Sequence, residues 1–313
     1  MGAKLSTRQS YGATLAELGK DKNIVVLDAD LSGSTNTASF KKIYPERHFN
    51  LGIAEANMMS VAAGLAASGK TVFASSFAMF AAVRAGEQIR NSIAYPKLNV
   101  KVCASHAGIT VGEDGASHQS IEDIALIRAI PNMIIVNPCD DDTTKAAIRA
   151  VYETKGPCYV RLGRLPVDPV YDENVKFEIG KGIQICDGTD VSIIATGLMV
   201  QESITAKNIL MAEGISVRLI DMHTIKPIDR DIVIKAAKET GAIVTCEEHN
   251  IIGGLGSAVA EVVSEEYPCI VKRVGIKDIF GKSGTPAKLL EKYELTANDI
   301  VKAVKSAIKS KAV

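Results

Sequence analysis

The densest concentration of reactive side chains in this 313-residue chain lies between Ser105 and Glu122, a stretch reading Ser-His-Ala-Gly-Ile-Thr-Val-Gly-Glu-Asp-Gly-Ala-Ser-His-Gln-Ser-Ile-Glu. It holds His106 and His118, two of the five histidines, with Asp114, Gln119 and three glycines. Such a run cannot build core. It reads as a loop folded over a polar ligand, with imidazoles that donate, accept and titrate near neutrality. Three other segments carry chemistry. Glu55, in Asn50-Leu-Gly-Ile-Ala-Glu55-Ala-Asn-Met-Met, stands where a loop meets a long small-residue helix; alone, it reads as a partner for the helix dipole. Asp28-Ala-Asp30-Leu-Ser-Gly-Ser34 follows an apolar run. Phe77 and Phe80 are three apart, which predicts one helical face, where ordinary core packing competes with a ligand wall.

These groups need elements to hold them. Short apolar runs at Ile24–Asp28, Thr71–Ala74, Val100–Ala104, Met133–Val136 and Cys158–Leu162 alternate with helical patterns at 11–20, 54–68, 78–93, 121–128 and 141–154. That alternation predicts an α/β fold with a parallel, doubly wound sheet. The polar loops then fall at the carboxyl edge of the sheet, where such folds bind ligands. The pattern weakens into proline, glycine and charge from Pro166 to Thr189. We therefore expect a first domain at 1–170, a linker at 171–187 and a second, smaller α/β domain at 188–313. Its strands are expected at Val191–Ala195, Ser216–Asp221, Ile243–Glu247 and Ile270–Gly275, with a helix at 257–263 after Gly253, Gly254 and Gly256.

Composition excludes several classes. Lys plus Arg number 36 and Asp plus Glu 36, which leaves no net field to gather nucleic acid or anionic lipid. No run approaches a membrane span and the first residues lack a signal-peptide layout, so the expected location is the cytoplasm. The six cysteines are dispersed without a CxxC and read as buried small hydrophobes, not metal ligands.

The run Gly112-Glu-Asp-Gly-Ala-Ser-His-Gln119 resembles the Gly-Glu-Asp-Gly-Pro-Thr-His-Gln signature of transketolases. The likeness extends from Thr7-Arg8 through Asp28-Ala-Asp-Leu and Ile53-Ala-Glu to Thr245-Cys-Glu-Glu-His and Gly253-Gly-Leu-Gly. It covers only that family's pyrimidine-binding and C-terminal domains. No Gly-Asp-Gly metal motif occurs here. The resemblance therefore implies a subunit of a split, thiamine-diphosphate-dependent transketolase, with the diphosphate and Mg2+ held mainly by an N-terminal partner subunit in a heterotetramer. Its reaction would move a two-carbon ketol unit from a ketose phosphate to an aldose phosphate, as in the pentose phosphate pathway.

Residue by residue, Glu55 matches the glutamate that bonds the pyrimidine ring nitrogen, and Phe77 and Phe80 match the aromatic wall, with Val83 where many relatives carry a third aromatic. Asp30 matches a residue near the thiazolium side. Arg8, Ser34, His106 and Arg161 match phosphate contacts, with Arg164 competing for the role of Arg161. Asp114 and His118 match groups at the sugar hydroxyls. The second domain offers no further catalytic match and is expected to serve assembly. Deoxyxylulose-phosphate synthase and the beta subunit of pyruvate dehydrogenase-type complexes share the cofactor, but the former usually lacks the Gly-Glu-Asp-Gly loop and the latter needs no sugar-phosphate grip. A non-catalytic binding module is opposed by the presence of Glu55 with the whole loop.

Overall fold

The structure, a computed structural model, describes residues 4–311. A seven-stranded sheet forms the first layer system, in the order Thr224–Lys226, Ile134–Val136, Cys158–Arg161, Val100–Ser105, Thr71–Phe77, Ile24–Asp28, His48–Asn50. Six of these strands run parallel and Thr224–Lys226 runs antiparallel to Ile134–Val136. Ile24–Asp28 is buried at every position, as a central strand covered on both faces must be. Each of its four aliphatic side chains contributes about 1.5–3 kcal/mol by leaving water.

The covering helices follow from sequence. Asp140 accepts from the Thr143 amide at 2.9 Å and its own amide donates to Thr143 Oγ1 at 3.1 Å, a capping box that starts the helix Asp141–Glu153. The helix Glu55–Ala67 lays Met58, Met59, Ala62, Ala63 and Ala66 into the core. One expected helix is not continuous. The stretch 78–93 instead winds through two wide π-helical turns, Phe80–Arg84 and Ile89–Ala94, about a short helix at Gly86–Gln88. A π turn adds one residue to a turn, and an alanine-rich pattern gives no local sign of it.

The second sheet has five strands in the order Ile270–Ile276, Ala242–Asn250, Val191–Ala195, Val217–Asp221, Ile183–Cys186. All are parallel except Ile183–Cys186, which pairs antiparallel with Val217–Asp221. That edge strand falls inside the stretch expected as linker. Farther upstream, Pro166–Val167 pairs with Leu5–Ser6. The two sheets also exchange material, since Thr224–Lys226 leaves the second domain to close the edge of the first sheet. No helix among the described residues is long and apolar enough to cross a membrane.

Candidate active site

Glu55 opens the helix Glu55–Ala67 at the carboxyl edge of the first sheet, 2 % exposed. Its Oε2 is buried without a hydrogen-bond partner. The guanidinium of Arg84 stands 3.6 Å away on a side chain that is 60 % exposed, beyond good hydrogen-bond distance. An unsatisfied buried carboxylate oxygen is expensive, on the order of 1–3 kcal/mol or more.

Phe77 is the last residue of the strand Thr71–Phe77 and Phe80 the first of the wide turn that follows. The expected single helical face is therefore wrong: strand end and π turn bring the rings together, with centroids 6.0 Å apart and planes at 14°. His106 stacks on Phe77 at 3.8 Å, and His118 meets Phe80 edge-on at 5.3 Å. Phe77 is adjacent to Ser105 in the sheet register, which is why the histidine loop emerges beside it. Val83 in the same turn is 43 % exposed, so the wall's third position carries a short aliphatic.

The basic residues divide sharply. Arg161 is buried, its Nε and Nη2 binding Asp123 at 2.8 and 3.1 Å, while Nη2 also reaches the carbonyls of Ser120 and Glu248. Tyr159 donates to the same Asp123. Desolvation opposes the charge of Arg161, but the Asp123 carboxylate outweighs it and raises the guanidinium pKa. Nη1 makes none of these bonds, which leaves that nitrogen alone for the expected Arg161 phosphate contact. Arg164, three residues on, is half-exposed; it donates to the Val111 carbonyl and lies 3.6 Å from Asp114.

Arg8 donates to the Ser34 carbonyl at 2.7 Å, while its Nε is buried and unpartnered. Burial first, then the neighbouring charge of Arg164, lowers its pKa. The same field acts on His106. Burial, Arg8, Arg164 and His118 together push its pKa down to about 3, so it stands neutral beside two cations, with Ser105 Oγ at 2.9 Å from Nδ1. A corner in which cations lower one another's pKa is a corner that attracts an anion. Ser34, His106, Asp114 and His118 all border it. Asp30 sits apart, exposed, exchanging hydrogen bonds with Asn50 at 2.7 and 2.9 Å. Arg84 and Asn50 were not anticipated: Arg84 comes to Glu55 only through the wide turn, and Asn50 only through the parallel pairing of His48–Asn50 with Ile24–Asp28.

A polar edge on a mostly parallel sheet, with two stacked phenylalanines, a buried glutamate and a cluster of cations, defines an α/β protein with its polar loops gathered where such folds bind ligands. The comparisons with known proteins give that class a family. Residues 3–168 match the transketolase pyrimidine-binding domain and residues 180–300 the transketolase C-terminal domain. The chain is 55% identical over 312 residues to a putative transketolase C-terminal section of Methanocaldococcus jannaschii, covering 98% of both. It is 43% identical to a 6-deoxy-6-sulfo-D-fructose transketolase subunit of a Clostridium species, over 95% of this chain and 92% of that one. It is 36% identical to human transketolase over 98% of this chain but only 50% of that protein. A solved split gene transketolase, described as an inactive beta4 tetramer, superposes with a TM-score of 0.92 at 55% identity, covering 98% of this chain and 99% of that one. The chain belongs to the transketolase family and corresponds to its pyrimidine-binding and C-terminal domains.

Proposed function

We propose that this chain is the pyrimidine-side and sugar-side half of a two-subunit transketolase, moving a two-carbon ketol unit from a ketose phosphate to an aldose phosphate. The observation that carries the proposal is Glu55, buried at the strand edge with an oxygen that has no hydrogen-bond partner among the described residues. Thiamine diphosphate, the cofactor of the family, supplies when bound the electron sink for breaking and remaking a ketose carbon–carbon bond. The residues present fit it. Glu55 Oε2 meets a ring-nitrogen donor and holds or releases the proton there, a task for which a shorter Asp lacks reach and a Gln lacks a titrating proton. Phe77 and Phe80 supply an apolar wall, and Asp30 borders the thiazolium side.

Substrate recognition belongs to the corner of cations. Arg8 and Arg164 grip the terminal anion of the sugar, helped by Ser34 and by His106, which remains neutral and so can both donate and accept. Asp114 and His118 contact the hydroxyls near the bond being broken; an acceptor left unpaired by a missing hydroxyl would penalise the wrong sugar. The reading is supported by a relative named for a sulfonated ketose, since a sulfonate suits the same pair of guanidinium groups.

The diphosphate and its Mg2+ are assigned to an N-terminal partner subunit, with two copies of each chain in a heterotetramer. The similar chain that forms an inactive tetramer alone supports the need for that partner. The test is reconstitution: mix this chain with a partner carrying a Gly-Asp-Gly metal motif, thiamine diphosphate and Mg2+, and follow transfer from xylulose 5-phosphate to ribose 5-phosphate. Transfer from the mixture only, lost in Glu55→Ala, is expected. Full transfer by this chain alone, or pyruvate decarboxylation in its place, would overturn the proposal.

A further inference from the structure

The loop that carries His106, Asp114 and His118 is not a free surface loop of the first domain. Ile109 and Ile121, at its two shoulders, are buried in the same apolar cluster as Val191, Ile193, Val244 and Ile276 of the second domain. The short helix Ile109–Asp114 lies against Pro286–Lys292. Three polar ties reinforce this seam. Glu248 Oε1 accepts from the Thr110 amide at 2.7 Å, and the Asn250 amide donates to the Ile121 carbonyl at 2.7 Å. Gln119 Nε2 donates to the Lys282 carbonyl at 2.9 Å and to Ile109 and Gly112 of its own loop at 3.1 and 3.3 Å.

The backbone is shaped to allow this approach. Gly108 has a φ of +83°, and a Cβ there would fall 2.3 Å from the Glu248 carboxyl carbon; a Cβ on Gly281 would fall 1.7 Å from Gln119 Oε1. A side chain at either position would displace Glu248 or Gln119 from the bonds described, and at Gly108 the positive φ adds backbone strain. Arg161 completes the seam, since it binds Asp123 of the first domain and the Glu248 carbonyl of the second.

We propose that the second domain sets the working shape of the substrate loop, with Gln119 and Glu248 as positioning residues that hold Asp114 and His118 toward the sugar without touching it. This deepens the proposed function and rests on it for the kinetic part. Glu248 fixes one end of the loop at Thr110 and Gln119 the other, so the eight residues between them, 111–118, span two anchored points instead of sampling open conformations. The second domain therefore serves substrate recognition through the loop, beyond any assembly role.

Two readouts test this. In the chain alone, hydrogen exchange of residues 109–119 should quicken at least tenfold in Gln119→Leu, while Val100–Ser105 and Val191–Ala195 exchange as before. In the chain assembled with its partner, Gln119→Leu should raise KM for the ketose phosphate about tenfold, leaving half-saturating thiamine diphosphate within twofold. Glu248→Ala should behave alike and Glu248→Gln, which keeps an oxygen for the Thr110 amide, should restore both readouts; if Glu248→Ala does not fold, Gln119→Leu carries the test. Unchanged loop exchange in Gln119→Leu, faster exchange in all three regions together, or an equal shift in cofactor and sugar requirement would overturn the proposal. If no mixture transfers two carbons, the proposed function fails, while the exchange measurement still decides whether the second domain holds the loop.

Discussion

The two parallel sheets of this chain end in opposite ways, and a glutamate at each edge shows how. Glu247, near the end of Ala242–Asn250, turns into the start of the helix Leu255–Glu266, where its two oxygens accept from the Leu255 and Gly256 amides at 2.6 and 2.8 Å. Glu55, in the first turn of its own helix, leaves Oε2 unpartnered. The glycine-rich turn at Gly253–Gly256 has the amides of an anion site, yet the chain fills it with its own carboxylate. One edge is closed by the chain's own carboxylate; at the other, a buried carboxyl oxygen has no hydrogen-bond partner among the described residues. A shared architecture thus decides nothing about function; whether the polar groups at the strand ends are already satisfied does.

The largest effect expected from this contrast is on Glu55. Glu55→Gln in the reconstituted enzyme should lower transfer by about 10³-fold, within the range for losing a positioned acid–base group, with a melting temperature equal to or above that of the parent. Activity within tenfold of the parent would place Glu55 with Glu247 as a structural residue. The arginines follow. Arg161→Gln strands Asp123 as a buried, unpaired carboxylate and should destabilise the chain by about 3–5 kcal/mol in denaturant unfolding. Arg164→Gln should leave stability within about 0.5 kcal/mol and raise KM for the sugar phosphate by about tenfold. A reversal of those two phenotypes would return the phosphate contact to Arg161.

Glu247→Gln should cost about 2 kcal/mol of stability, the scale for losing charge-assisted caps, without altering the thiamine diphosphate requirement. At neutral pH the smallest effect concerns His106, whose contribution emerges only on acidification. Its unfolded pKa is near 6.5 and its folded pKa about 3, so between those values the unfolded chain binds a proton that the folded chain refuses. The stability this neutral imidazole permits is complete above pH 6.5 and declines as pH falls. Relative to His106→Gln, the parent should lose about 1.4 kcal/mol per pH unit between pH 5.5 and 4, measured by urea unfolding. A constant difference across that range would mean His106 ionises normally.

Much of this was legible in the sequence, and the illegible part has a common cause. Ile24–Asp28 and Val191–Ala195 form over the residues expected, because an apolar run bounded by polar turns is local information. The polar loop carrying His106, Asp114 and His118 was readable from its composition, whereas Arg8 was joined to it only through the resemblance to transketolases. What failed depends on distant partners. Arg161 and Arg164 are separated by two residues and carry the same charge; only Asp123 and Glu248, brought up by folding, decide which is buried in an ion pair. Phe77 and Phe80 meet through a strand end and a π turn, not a helix, since one extra residue in a turn leaves no periodic trace. Ile183–Cys186 and Thr224–Lys226 are too short to read as strands until the sheet edges they complete exist.

The central claim, that this chain holds an open half-site, is tested most directly by calorimetric titration of thiamine diphosphate with Mg2+ into the chain alone, into the N-terminal partner alone and into their complex. Binding at least a hundredfold tighter to the complex than to either chain, and weakened by Glu55→Gln within that complex, is the predicted result. Equal affinity of this chain alone and of the complex would contradict it.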